Sequence, residues 1–323
     1  MTAPAAPVAP RVLSARELLA ERWRLRLRGI RTFVHRYRQH KAGVLGLLML
    51  AVFVVLAVIP DILVGPLQDA VTATGDTLVG PRATNLFGTD ELGRDILNLT
   101  VHGARVSLLI GSLATVITVG LGAMIGIVAG YFGGAVDAIL MRITDFFLVL
   151  PTFVLALILA PILLDLIGAG GQVFGIRVTL VVIIVVIGAT SWASTARIIR
   201  SQALSVKERA FVDRARVIGA SSTRIMLKHV LPNVMSLIVA NAVLTFAGAV
   251  LTETGLSFIG LGDPFQPSWG QILESARTSG APGLGAWWYM AAPGIAIILV
   301  VLAITLIGNA LDDTLNPKLA ARR

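Results

Sequence analysis

The chain has 323 residues, of which 56% are hydrophobic and only 14% are charged, and its mean hydropathy is +0.84. This composition excludes an ordinary soluble domain and is typical of a protein that crosses a membrane several times. The formal net charge of +9 does not indicate nucleic acid, because the basic residues cluster beside apolar segments, and the absence of cysteine excludes disulfides and thiolate metal sites.

Residues 1–41 form a basic segment with ten Lys or Arg residues. Ser14 and Glu17 have the spacing of a helix capping box. Apolar residues from Leu19 to Val34 recur at helical spacing, which predicts a helix lying on the membrane surface. A basic anchor that only fixes topology is the alternative. The arginine-rich stretch is too long for a signal peptide, and no small-residue cleavage site follows the apolar run.

Six segments are apolar and long enough to cross a bilayer, which needs about 20 residues as a helix. The first covers residues 42–60 and precedes an extracytoplasmic segment, 61–105, with six acidic and three basic residues. The other five belong to a core, 106–311, and the tail is 312–323. We therefore expect an all-α integral membrane protein with six transmembrane helices. The predicted spans are Ala42–Pro60, Val106–Gly130, Phe146–Leu164, Val178–Ala196, Asn233–Thr252 and Trp287–Leu311.

The basic residues also predict the orientation of the chain. The loop 197–232 contains eight Lys or Arg residues, and with six spans it lies on the same side as the N-terminal segment. Because cytoplasmic loops are enriched in Lys and Arg, we expect this loop and both termini in the cytoplasm.

Two acidic residues lie near the ends of predicted spans and are candidates for a translocation path or gate. Asp145 lies at the start of the third span, three residues after Arg142, and we expect these two side chains to pair. Glu253 lies near the outer end of the fifth span, where an ionisable group is costly unless it faces water or a partner. A structural salt bridge is the alternative for Glu253.

Residues 205–233 carry the most informative pattern of the chain, which predicts two short helices broken at Gly219. Glycine can adopt the positive φ that ends a helix, and Ser221 or Ser222 can cap the next helix. A structured cytoplasmic loop of this kind indicates a surface that binds a soluble partner. The predicted apolar face of the first helix comprises Phe211, Ala215 and Ile218.

The loop Asp263–Ala286, between the fifth and sixth spans, is the predicted docking surface on the outside because of its position and length. A short helix is expected around Gln271–Arg277. The run Trp287–Tyr289 that follows is typical of an interfacial aromatic belt. A contact with a docked protein is the alternative for these three residues.

Signatures of catalysis are missing from the sequence. It has no Walker A loop, no H-x-x-x-H spacing, no G-x-S-x-G elbow and no conspicuous acidic pair. We therefore expect a protein that is not an enzyme, with no catalytic residue, no metal site and no cofactor of its own.

The segment 205–233 resembles the EAA motif of permease subunits of bacterial ABC importers. This motif is an E-A-A triplet followed by a glycine at a fixed distance and by a closing L-P. Here Asp213-Arg214-Ala215 corresponds to the triplet, Gly219 to the glycine and Leu231-Pro232 to the close. Arg214 and His229 depart from the general pattern, and both agree with the peptide-importer branch.

Two further segments are similar to the same branch, the C-type permease subunits of dipeptide, oligopeptide and nickel importers. Phe87–Asp95 with Gly103–Leu108 resembles the stretch before the second span, and Leu256–Gly262 with Pro267–Gly270 resembles the loop after the fifth. A further similar motif, Asp312 with Leu315–Pro317, lies in the tail. The resemblance therefore extends over residues 87–317.

The resemblance implies the type I fold of ABC importer permeases, with both termini cytoplasmic, in a bacterial inner membrane. It implies a second, B-type permease subunit, two cytoplasmic ATPase subunits or domains that hold ATP and magnesium, and an extracytoplasmic substrate-binding protein. Membrane lipid surrounds the chain, and no nucleic acid is expected. The substrate would be a di- or oligopeptide, with nickel, glutathione or an opine-like compound as alternatives.

The same resemblance makes the loop a coupling helix that sits in a groove of one ATPase and moves the spans as a lever. Its basic side chains would meet acidic residues of the ATPase. A solvated basic loop that only fixes topology is the alternative. The residues assigned to ATPase coupling are Arg209, Ala210, Asp213, Ala215, Arg216, Gly219, Ala220, Arg224 and Lys228.

The alternative function is a secondary transporter of small solutes. Such a protein normally has ionisable residues deep in several spans, or Gly/Pro-broken helices at corresponding positions of two halves. The spans of this chain are nearly free of charge. An intramembrane enzyme lacks support because no nucleophile or metal ligands occur at helical spacing, and a channel has no need of the loop 197–232.

Overall fold

The computed structural model describes residues 23, 24, 28, 31–69, 71–73, 75–168 and 170–315. The predicted capping box of Ser14 and Glu17 lies outside these residues, as does most of the predicted surface helix from Leu19 onwards. Residues 31–39 of that segment are helical.

The described chain is a helical bundle with one very short hairpin. The antiparallel hairpin consists of β1, Gln172–Val173, and β2, Ile176–Arg177. Turns of π-helix at Met226–Val230 and Ser257–Leu261 flank α9, and a 3₁₀ turn, Ala281–Leu284, precedes α11. The helices are α1 Lys41–Val58, α2 Pro60–Val64, α3 Ile96–Phe132, α4 Gly134–Val149, α5 Thr152–Ile167, α6 Val178–Lys207, α7 Ala210–Val217, α8 Ser222–Ile225, α9 Leu231–Leu256, α10 Trp269–Thr278 and α11 Trp288–Leu315.

Among the described residues, five helical stretches are long and apolar enough to cross a membrane, namely α1, α3, α6, α8 with α9, and α11. The sixth is a bent pair, since α4 and α5 meet at 90°. The prediction of six spans is confirmed when this pair is counted as one. The third predicted span, Phe146–Leu164, is therefore not one straight helix. Leu150 is extended, with ψ of 129°, because a residue before proline avoids the helical region, and Pro151 follows it.

The helix α3 begins at Ile96, earlier than the predicted span that starts at Val106. The side chains of its first turns are polar, and backbone groups of the neighbouring chain form hydrogen bonds with them. Asn98 Nδ2 donates to the carbonyls of Val64 and Pro66 at 2.9 and 3.0 Å, and Asp95 caps the helix by accepting the N–H of Leu97. Polar residues that resemble a loop in the sequence therefore form the buried N-terminal end of a 37-residue helix.

The centre of the bundle is the close contact of α3 with α6. Gly122, Gly126 and Gly130 recur every fourth residue on α3. A Cβ added to Gly126 would lie 2.5 Å from the carbonyl oxygen of Ala196, and one added to Gly122 would lie 2.6 Å from Cβ of Thr195. Helices in a membrane gain stability from such close backbone packing, so the glycines set the distance between the two helices.

Ion pairs join α4 to α6. The expected pairing of Asp145 with Arg142 is wrong, because Asp145 pairs with Arg197 instead. Further along the same two helices, Arg200 donates to both carboxylate oxygens of Asp137, at 2.5 and 2.6 Å. The acidic side of α4 lies against α6, so its carboxylates meet arginines far away in sequence rather than their neighbour on the same helix.

Candidate functional site

The chain between α6 and α9 folds as a compact elbow, which we define as residues 208–230. Its first helix, α7, ends in a Schellman motif. The N–H of Ala220 donates to the carbonyl of Ala215 at 3.0 Å, and the N–H of Gly219 donates to the carbonyl of Arg216 at 3.0 Å. This motif needs a left-handed residue at the turn, and Gly219 has the predicted positive φ, at +81°.

The second half of the elbow is continuous with a membrane span. Ser221 caps α8, as predicted, because its Oγ accepts the N–H of Arg224 at 3.4 Å. A π-helical turn then leads directly into α9, with Pro232 in its first turn, where a missing N–H is harmless. A force applied to the elbow is therefore transmitted along one helical segment into α9.

The inner side of the elbow is anchored in an apolar cluster formed with α3, α6 and α9. Val212 and Ile225 are completely buried there, and Ala215 is nearly so. Of the predicted apolar face, only Ala215 is buried. Phe211 is at the edge of exposure and Ile218 is 83% exposed, because α7 has only eight residues and Ile218 already lies beyond its last turn.

The outer side of the elbow exposes two large apolar side chains at its tip, Val217 at 87% and Ile218 at 83%. Charged residues surround this tip, and among them Arg216 pairs with Asp213 at 3.0 Å. No carboxylate of the described residues pairs with the exposed basic residues Arg209, Arg214, Arg224 and Lys228.

The nine predicted coupling residues therefore gather on one elbow but do not share one environment. The structure places two of them against the core, where they support the turn. Ala215 is buried and Ala220 is half-buried, whereas Arg209, Ala210, Asp213, Arg216, Gly219, Arg224 and Lys228 are exposed.

The candidate gate residue Glu253 is completely buried at the other end of α9. Its carboxylate accepts hydrogen bonds from Ser257 Oγ at 2.8 Å and from Ser107 Oγ at 3.2 Å. Ser107 Oγ in turn accepts the backbone N–H of Trp269 at 3.1 Å. The salt-bridge alternative for Glu253 is wrong within the described residues, because its partners there are serine hydroxyls. This network joins α3, α9 and α10. The other candidate gate residue, Asp145, is exposed in its pair with Arg197.

The loop between α9 and α11 contains the predicted short helix, α10, which is capped by Ser268. An ion pair that sequence reasoning missed ties this loop to the hairpin, since Arg177 Nε donates to the buried Asp263 at 2.5 Å. Arg177 and Asp263 are 86 residues apart, so no local spacing could indicate this ion pair.

The predicted aromatic belt is wrong for Tyr289, which is completely buried, whereas Trp287 is 65% exposed.

The chain matches the family model described as binding-protein-dependent transport system inner membrane component over residues 122–321. It is 36% identical to the di/tripeptide transport system permease protein DppC of Pseudomonas aeruginosa, over 87% of this chain and 89% of that protein. It is 38% identical to the dipeptide transport system permease protein DppC of Bacillus subtilis, over 88% and 84%. It is 32% identical to the oligopeptide transport system permease protein OppC of Mycobacterium bovis, over 88% and 93%.

Proposed function

The chain belongs to the family of binding-protein-dependent transport system inner membrane components, and on that premise we propose that its elbow couples ATP hydrolysis to transport. The chain is a permease subunit of an ABC importer, with several helices that cross the cytoplasmic membrane. Its relatives are permease subunits, which favours this function over a secondary transporter.

The proposed substrates are dipeptides and oligopeptides, because the relatives are named for these molecules. The proposed partners are a second, B-type permease that forms the other half of the path, two ATPase subunits or domains that hold ATP and magnesium, and an extracytoplasmic binding protein. The excess of Lys and Arg in the elbow loop supports a cytoplasmic location for that loop and for both termini.

The observation that carries the coupling role is the division of the elbow into a fixed side and a free side. Val212 and Ile225 hold it in the core, while Val217 and Ile218 project from its tip. Large apolar side chains that are this exposed, beside charged groups, are typical of a surface that another protein covers. The exposed arginines and lysine would add electrostatic attraction to an acidic groove.

The proposed mechanism is mechanical and needs no chemistry from this chain. Closure of the ATPases on ATP would displace the tip, and the continuous helix from Ser222 to Leu256 would carry that displacement into α9. The Schellman turn at Gly219 would keep the tip at a fixed angle to α7, so that the elbow moves as a rigid lever.

The substitution Gly219→Val tests this role. A β-branched residue at φ of +81° costs about 1–2 kcal/mol, so the turn should distort, although no atom lies within 4 Å of the added Cβ. We expect the reconstituted importer to keep hydrolysing ATP while ATP-dependent dipeptide uptake falls about tenfold. Both rates are measured on the same vesicles.

Two controls make this result specific. Gly219→Asn should keep most of the uptake, because asparagine tolerates positive φ. Gly168→Val places the same strain at φ of +87° at the end of α5, also in open space, and should leave the ratio of uptake to hydrolysis unchanged. Normal uptake by Gly219→Val at normal expression would reject Gly219 as the rigid turn of the lever.

A further inference from the structure

A cavity of about 380 Å³ lies between the chain preceding α3, the loop before α10, and the start of α11. It is at the opposite end of α3 from the elbow, on the side that the proposed orientation places outside the cell. Half of the fourteen lining residues are apolar and half are polar or charged. The apolar wall residues are Leu67, Leu92, Leu99, Pro264, Phe265, Pro267 and Ile272.

Buried oxygens without hydrogen-bond partners concentrate at this cavity. Among the described residues six buried side-chain oxygens lack a partner, and three of them, Glu91 Oε2, Gln271 Oε1 and Tyr289 Oη, belong to the cavity lining. Tyr289 is completely buried, and its hydroxyl lies close to the carboxylate of Glu91, so these two groups form one polar pair at the cavity. A buried polar group without a partner is costly, so a cluster of them beside an open volume indicates a missing ligand or water. Gln271 Oε1 lies against Gly262, which makes Glu91 and Tyr289 the more direct candidates for ligand contacts.

The charge of the lining favours a cation. Arg94 is the one basic residue among the described lining residues, and its guanidinium is neutralised by the buried carboxylate of Asp90 at 2.6 Å. The carboxylates of Asp69 and Glu91 both line the cavity. Asp69 accepts the backbone N–H groups of Val71 and Thr72, which keep it in place but leave its negative charge.

The size and the walls of the cavity favour an organic cation over a metal ion. The described residues contain no group of three His, Cys, Asp or Glu side chains that could hold a metal. An ammonium group offers three N–H donors and no acceptor, which suits the lone pairs of Glu91 and Tyr289. An apolar stem attached to it would bury against the ring of Phe265 and the aliphatic wall.

We propose that this cavity binds a protonated primary amine carried on an apolar stem, as found at the N-terminus of a short peptide. Glu91 accepts from the ammonium and neutralises it, and Tyr289 contributes a second oxygen contact. This inference rests on the proposed function and deepens it, because it assigns part of this chain to the amino end of an arriving peptide.

The probe for this site is L-leucinamide, with N-acetyl-leucinamide as the matched molecule that lacks the charge. Binding is measured by saturation-transfer NMR at pH 6.5, on the full chain with its partner subunits in nanodiscs, without the binding protein. We expect leucinamide to bind and its acetylated form to bind at least fivefold more weakly. Glu91→Gln should weaken leucinamide by roughly fivefold or more, and Tyr289→Phe by a smaller factor.

The control variant Asp76→Asn removes a carboxylate from the same segment outside the cavity lining, where its side chain is 84% exposed, and should bind leucinamide normally. If the Glu91→Gln variant does not fold, two tests of the proposal remain. They are the Tyr289→Phe variant and the comparison of the two probes on the unaltered chain. Equal binding of both probes, or normal binding by a folded Glu91→Gln complex, would overturn the proposal.

Two further outcomes separate this site from the transport function. If the unaltered complex takes up peptides but does not bind leucinamide, the cavity proposal fails and the importer function stands. If Glu91→Gln leaves leucinamide binding unchanged and weakens docking of the binding protein, the amine belongs to a lysine of that protein, and the peptide site is rejected.

Discussion

At the scale of single residues, Glu253 shows how a buried ionisable side chain can be accommodated between helices by hydroxyl donors. Its two oxygens accept from Ser107 and Ser257, and Ser107 also receives the backbone N–H of Trp269. Each polar group of this network forms a hydrogen bond with another, and the network connects α3, α9 and α10. The carboxylate therefore fixes the position of the outer helix relative to the span.

The substitution Glu253→Leu should destabilise this junction by about 1–3 kcal/mol, because it leaves two buried hydroxyls without their acceptor. Glu253→Gln should lose much less, since an amide of the same shape can still accept one hydrogen bond and donate another. The measurement is the thermal unfolding of the purified complex in nanodiscs. A melting temperature of Glu253→Leu equal to that of Glu253→Gln would contradict a structural role for the network.

At the scale of helices, the distance between α3 and α6 depends on residues that have no side chain. Gly122, Gly126 and Gly130 face α6, whereas Gly120 on the same helix faces open space. Glycine on this helix therefore either allows close packing against α6 or faces open space. Only the position of the neighbouring helix distinguishes the two cases. The lever proposed for the elbow requires this contact, because the buried cluster under the elbow includes residues of both helices.

We expect Gly126→Ala to destabilise the folded chain by about 1–3 kcal/mol, since the new methyl group would meet the carbonyl of Ala196 at 2.5 Å. Gly120→Ala adds the same methyl group where no atom lies within 4 Å, and it should be neutral or slightly stabilising because alanine favours helix. Resistance to unfolding by detergent, measured on matched preparations, gives the comparison. Equal behaviour of the two variants would show that the glycine stripe does not set the helix distance.

At the scale of the whole molecule, the sequence predicts what is local and misses what is assembled from distant segments. The turn at Gly219 and the cap at Ser221 depend on neighbouring residues, so their spacing predicts them. The partner of Asp145 lies 52 residues away on α6, and no helical spacing could identify Arg197. The cavity at Tyr289 is lined by three separate parts of the chain, which no local pattern brings together. In the sequence, the run Trp287–Tyr289 resembles a membrane aromatic belt, and only the fold shows that Tyr289 is buried.

The hydropathy of the chain predicts six spans but not the bend in the third. An apolar run gives the same signal whether or not the backbone is straight, and the bend depends on one extended residue before Pro151. In the same way, the length of α3 exceeds its apolar part because polar residues such as Asn98 find partners in the preceding segment. The first departure comes from a steric restriction of the backbone and the second from hydrogen bonds to backbone carbonyls, and average hydropathy reports neither.

In the proposed function, the tip of the elbow binds the ATPase of an importer. The most direct measurement is purification of the tagged chain from its native membrane in mild detergent with ATP, comparing the unaltered chain with the double variant Val217→Asp, Ile218→Asp. The unaltered chain should bring a second permease, a Walker-motif ATPase and a binding protein. The double variant should retain the second permease and recover markedly less ATPase, because its elbow would hold one of the two ATPases. Phe174→Asp, which alters a fully exposed apolar side chain of the hairpin, should behave as the unaltered chain. An undiminished yield of ATPase with the double variant, or an unaltered chain that purifies alone, would contradict this proposal.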